Sequence, residues 1–126
     1  MADAMRAHFP GRPPVDTYGN GGFRFAGMSH RGSILLLPSG VHGWELPAAD
    51  ALGLAAFERV FAEADRIDVL LIGTGMRHVF PSDDLRAAAA AADIVLETMT
   101  TGAAARTYNV LLAEDRAVAA ALVAVD

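Results

Sequence analysis

Ile67-Asp68-Val69-Leu70-Leu71-Ile72-Gly73-Thr74-Gly75 is the stretch whose reading decides the fold. It is a short, near-continuous apolar run halted by a Gly-Thr-Gly turn. Such a run reads as a strand covered on both faces, because a half-exposed strand alternates apolar and polar residues. A strand of that kind needs strands beside it and helices above and below.

Those elements are readable on either side. Ser33-Ile34-Leu35-Leu36-Leu37-Pro38 is a second apolar run, stopped by proline. Between the two, Asp50 to Ala64 spaces Leu52, Leu54, Phe57, Val60 and Phe61 along one helical face. After the Gly-Thr-Gly turn, Ser82-Asp83-Asp84 opens a helix over Leu85 to Ala92, with Ser82 as its N-cap. Ile94 to Glu97 then reads as a strand, and Thr100 to about Ala113 as the last helix. The tail, Ala117 to Val125, is short and apolar and reads as a strand.

Upstream, Val15–Tyr18 and Gly22–Ala26 flank Gly19-Asn20-Gly21-Gly22, a turn that uses positive φ. Phe23 and Phe25 alternate with Arg24, so the pair reads as an N-terminal β-hairpin. Gly27 to Gly32 reads as a polar turn, and Val41 to Trp44 as a brief strand in an irregular region. Residues 1–14 read as a flexible N-terminal arm ending at Pro13-Pro14, and 15–126 as a single domain. Alternating strands and helices imply a largely parallel sheet with helices on its faces.

Composition narrows the function classes. The 126 residues carry a net charge of -5, and no Cys is present, which excludes disulfides, thiolate metal sites and a cysteine nucleophile. The acidic balance and scattered arginines argue against nucleic-acid binding, which needs clustered positive charge. No apolar run reaches the length of a membrane span, and the first residues lack a secretory signal, so the reading is a soluble, cytoplasmic protein.

Catalytic signatures are missing. Ser29, Ser33, Ser39 and Ser82 lack a nucleophile elbow. His8, His30, His42 and His78 have no zinc-binding spacing, and His42 reads as a loop residue bonded to backbone. No catalytic residue, metal or cofactor is assigned. The candidate ligand-binding region lies beyond the carboxyl ends of two strands, where open α/β sheets collect ligands. It comprises Gly73, Thr74, Gly75 and Arg77 from one loop, and Thr101, Arg106 and Asn109 from the segment entering the last helix. The glycines and the helix start suit an anion, with Arg77 and Arg106 as its partners. The same residues also have plain structural roles in turning the chain and capping a helix.

Several segments occur together in a familiar order: Gly22-Phe23-Arg24-Phe25, Gly32-Ser33-Ile34-Leu35, the Trp44 segment, the Asp68–Gly75 strand and turn, and Gly102-Ala103-Ala104-Ala105-Arg106-Thr107-Tyr108-Asn109-Val110-Leu111. From Val15 onward the chain resembles the Mth938-like family of domains of unknown function. Relatives in that family include the mitochondrial assembly factor 3 of respiratory complex I. The resemblance implies a three-layer α/β/α domain with a central mixed, mostly parallel sheet plus the N-terminal hairpin. It implies a bacterial, cytoplasmic, non-catalytic interaction or assembly factor, whose partners by analogy are complex I subunits or assembly factors. A second copy of the chain stays open as a partner. The alternative is a small-molecule or anion-binding protein or enzyme using Gly73–Arg77 and Thr100–Asn109.

Overall fold

The computed structural model describes residues 9–46 and 52–126. Residues 1–8, and with them most of the expected arm, lie outside the described residues, as do residues 47–51. Along the chain run β1 (Thr17–Gly19), β2 (Gly22–Phe25), β3 (Met28–Arg31), β4 (Ser33–Leu37) and β5 (Gly40–Trp44). The helix α1 (Glu58–Phe61) follows, between 3-10 turns at Leu54–Phe57 and Ala64–Arg66. Then come β6 (Val69–Gly73), α2 (Asp83–Ala91), β7 (Val95–Met99), α3 (Thr101–Ala113) and β8 (Val118–Leu122).

Five strands form one mixed sheet in the order β5-β4-β8-β6-β7. The run at Ile67–Ile72 does become an inner strand: β6 pairs in parallel with both β7 and β8. The C-terminal tail is also a strand, and its five residues are all buried. The expectation of a mostly parallel sheet is corrected. β8 runs antiparallel to β4, and β4 antiparallel to β5, so the four ladders divide evenly. The cause is local. Leu37 pairs directly with Gly40 across Pro38-Ser39, so the segment read as irregular is a tight hairpin.

Side-chain alternation divides the core between the two faces of this sheet. Leu35, Leu37, Leu70 and Ile72 pack with Phe57, Val60, Leu85 and Ala89 on one face. Ile34, Leu36, Leu71 and Leu122 pack with Ala104, Ala105 and Tyr108 of α3 on the other, joined by Phe23 and Phe25. Each buried Leu or Ile stabilises the fold by roughly 1.5–3 kcal/mol.

Two further readings change. The expected hairpin is part of a three-stranded antiparallel sheet, β1-β2-β3, and Met28–Arg31, read as a turn, is its third strand. Ala26 and Gly27, both at positive φ, make the two-residue turn that forces this pairing. Of the helix read over 50–64, residues 50 and 51 lie outside the described residues, and the rest is four α-helical residues between a 3-10 turn at Leu54–Phe57 and one at Ala64–Arg66. Trp44 Nε1 donates to Ala56 O at 2.8 Å, satisfying a carbonyl that a continuous α-helix would bond internally.

Two residues of the N-terminal segment are bonded to the main sheet. Phe9 exchanges backbone hydrogen bonds with Val41 of β5 at 3.0 and 2.8 Å, and Arg12 Nη2 donates to Val118 O at 2.6 Å.

Candidate functional site

In register, Gly73 stands beside Met99 on one side and Leu122 on the other. The carboxyl ends of β6, β7 and β8 therefore finish level, and the loops that follow open on one edge. Gly73, Thr74, Gly75 and Thr101 meet there.

Their polar groups are spent on one another. Thr74 N donates to Met99 O at 2.8 Å, and Val123 N donates to Gly73 O at 2.9 Å. Thr74 Oγ1 donates to Arg77 O at 2.6 Å and accepts from Val79 N at 3.1 Å, which closes the loop after β6. Gly75 N donates to Thr101 Oγ1 at 2.9 Å, and Thr101 N returns a bond to Gly75 O at 2.9 Å. Thr101 Oγ1 donates onward to Val123 O at 2.7 Å. One fully buried hydroxyl thus ties together the ends of three strands. Gly75 has φ +103, a conformation natural to glycine. Thr100 occupies the N-cap of α3 without a side-chain cap bond, whereas Ser82 caps α2 as its position suggests, accepting from Leu85 N at 3.2 Å.

The other three candidates are placed differently. Arg77 is exposed and lines a cleft of about 450 Å3 with Thr74, Val79, Val123 and Asp126. Arg106 is exposed on α3. Among the described residues, no hydrogen bond or ion pair engages either guanidinium. Asn109 is turned to another task. Its Oδ1 accepts from Val15 N and its Nδ2 donates to Val15 O, both at 2.8 Å, so one side chain satisfies both backbone groups of a residue 94 positions away.

Next to that pin, burial raises the pKa of the Tyr108 phenol above its ordinary value, while the neighbouring Arg12 guanidinium pulls it down. Arg12, Tyr108 and Asn109 together hold the N-terminal segment over α3 and β8. Nothing local in the sequence announces this, since the partners are about a hundred residues apart.

A second polar cluster escaped the sequence reading. Ser39 Oγ donates to Glu63 Oε2 at 2.5 Å and lies 2.8 Å from His42 Nε2, while Ser39 N donates to Glu63 Oε1 at 2.9 Å. Arg66 Nη2 sits 3.2 Å from the same carboxylate. His42, read as a loop residue, lies in β5. The order differs from a hydrolytic triad, where the serine faces the histidine and the acid stands behind it. Here the serine proton goes to the carboxylate, so the hydroxyl links the β4–β5 turn to the helical segment. Proximity of Ser39 and His42 was a usable signal, but nothing pointed to Glu63.

Among the described residues, no group of three or more His, Asp or Glu side chains could hold a metal ion, and no helix is long and apolar enough to cross a membrane.

The chain is 55% identical to a solved protein described as an outer membrane protein from Bartonella henselae, with a TM-score of 0.90 over 94% of this chain and 100% of that one. It is 26% identical to a Mth938-like domain from Bordetella pertussis, with a TM-score of 0.76 over 89% of this chain and 85% of that one. It is 27% identical to the mouse NADH dehydrogenase [ubiquinone] 1 alpha subcomplex assembly factor 3 over 94% of this chain, and it spans 64% of that protein's length. A family model described as a protein of unknown function (DUF498/DUF598) matches residues 15–123. The resemblance read from the Gly-Thr-Gly strand and the Arg106–Asn109 helix therefore holds, and the chain belongs to this Mth938-like DUF498/DUF598 family.

Proposed function

We propose that the chain is a non-catalytic interaction and assembly protein of the bacterial cytoplasm, acting in the assembly of respiratory complex I. The observation that carries this reading is the fate of the polar groups at the sheet edge. The Thr74 hydroxyl is bonded to Arg77 O, and the Thr101 hydroxyl to the Gly75 amide and Val123 O, so neither hydroxyl is free to serve as a nucleophile. The complex I assembly factor among its relatives supports the same reading. Its partners are then complex I subunits or other assembly factors, and the domain over 15–126 does the work. A deletion strain tests it: assembled complex I, measured on native gels and by NADH oxidation in membranes, falls and is restored by the wild-type gene. Unchanged complex I content refutes the role.

One observation favours a second reading, a small-anion site at the cleft beside Arg77. A phosphate or carboxylate ligand at 100 times its Kd adds about 2.7 kcal/mol of stability. A thermal-shift series with inorganic phosphate and small carboxylates measures it. A shift that survives Arg77→Ala places the ligand elsewhere.

A further inference from the structure

The terminal strand β7 has β6 on one side and no strand among the described residues on the other. Val95 N donates to Asp68 O, and Met99 O accepts from Thr74 N. In a parallel ladder, alternate residues serve the same neighbour. Val95, Glu97 and Met99 therefore turn their backbone groups towards β6, while Leu96 and Thr98 turn theirs outward. Natural edges are blunted by charge, proline, bulges or a covering element. β7 carries one charge, Glu97, and neither proline nor bulge.

Exposed apolar side chains accompany the charged ones around it. Val95 is 55% exposed, Val110 56% and Phe80 75%. Val110 lies one turn beyond Thr107, whose Oγ1 is 3.6 Å from Met99 Sδ at the end of the strand. On the other side, His78 Nε2 lies 2.6 Å from Thr98 Oγ1, and its ring centroid lies 4.7 Å from that of Phe80. That contact holds Phe80 beside the open edge.

We propose that β7 receives an extended segment of another protein, of alternating apolar and basic residues, which adds a sixth strand to the sheet. Glu97 at the centre of the edge, with exposed Asp68 and Asp93 at its entry, supplies the charge preference. Among the described residues, no basic side chain pairs with any of the three. A second copy of this chain fits poorly. A twofold pairing of β7 with itself through Leu96 and Thr98 sets Glu97 either opposite its own mate or diagonal to it, within roughly 5–8 Å. Like charges at those positions repel.

This inference rests on the interaction reading above, and the two fail separately. The test uses the full isotope-labelled chain and two capped nonapeptides, one alternating valine with lysine and one alternating valine with glutamate. The valine–lysine peptide is expected to shift the amide resonances of Leu96, Thr98 and their neighbours and to slow exchange of those two amides. The valine–glutamate peptide binds about fivefold more weakly or worse. Glu97→Lys reverses that order without touching the backbone, and Thr98→Pro, which removes an outward N–H, abolishes the shift. No shift at millimolar peptide, shifts confined to another surface, or equal affinity for the two peptides overturns the proposal. None of these results changes the complex I content of a deletion strain, which judges the interaction reading.

Discussion

Replacing Gly73 by alanine is the sharpest probe of how the strand ends are tied. Gly73 is not at positive φ, so alanine costs nothing in backbone strain and, in a strand, carries the better propensity. The penalty is steric. A Cβ there stands 2.8 Å from Thr101 Cα, 3.0 Å from Leu122 Cδ2 and 3.2 Å from Ala104 Cβ. Leu122 can turn away, but Thr101 cannot readily do so. Its N–H and hydroxyl are bonded to Gly75 and Val123, and it begins a helix packed on the sheet. Overpacking of this kind costs about 1–3 kcal/mol, and a backbone obstacle puts Gly73→Ala at the upper end, about 3 kcal/mol. For a domain of this size that corresponds to a fall in Tm on the order of 10 °C. Urea unfolding at 25 °C measures it, with an unchanged m value showing that the native and denatured states stay comparable. Leu122→Val in the same background separates the two obstacles, because it removes the flexible contact and leaves the backbone one. Relief below about 1 kcal/mol in the double-mutant cycle is expected. A Gly73→Ala protein within about 0.5 kcal/mol of wild type, or full rescue by Leu122→Val, refutes the close-approach argument.

Thr101→Val keeps the shape but strips the hydroxyl from Gly75 N and Val123 O, and urea unfolding should show a loss of about 2–3 kcal/mol. Asn109→Ala removes both bonds to Val15, costing about 1–2 kcal/mol, and hydrogen exchange should speed selectively over the segment it pins, residues 9–16. Tyr108 sets a limit at high pH. Because its folded pKa is raised, the stability it contributes is complete below the ordinary phenol value of about 10 and is lost as pH rises through the folded value. Urea midpoints should change in parallel below about pH 10 and fall more steeply above it for wild type than for Tyr108→Phe.

What the sequence disclosed was whatever depends on neighbours in the chain. The runs at Ser33–Leu37 and Val69–Gly73 are apolar without alternation because both faces are covered. Ser82 announces its helix because a cap acts over three residues. The elements that escaped are set by distant partners. Met28–Arg31 carries no strand pattern of its own and is a strand because the Ala26-Gly27 turn folds it back on β2. The periodicity of 50–64 is genuine, yet the Trp44 indole takes a carbonyl inside it. The equal balance of parallel and antiparallel ladders depends on where β8 inserts, and no local pattern encodes that.

The candidate site divides along the same line. Gly73, Thr74, Gly75 and Thr101 were legible as a group because parallel strands must end level, and residues at level ends meet. What they do on meeting was not legible: a threonine hydroxyl looks the same in a sequence whether it faces a ligand or a carbonyl. Asn109 makes the point from the other direction, since its amide is consumed by Val15. The converse holds at β7. Val95 lies in a strand, and a sequence cannot tell an inner strand from an outer one. Among the described residues β7 is the outer strand on its side of the sheet, and Val95, Val110 and Phe80 are exposed. In this fold Thr74, Thr101 and Asn109 are bonded within the structure, while Val95, Val110 and Phe80 face water. The edge of β7 is accordingly the surface proposed above to receive a partner strand.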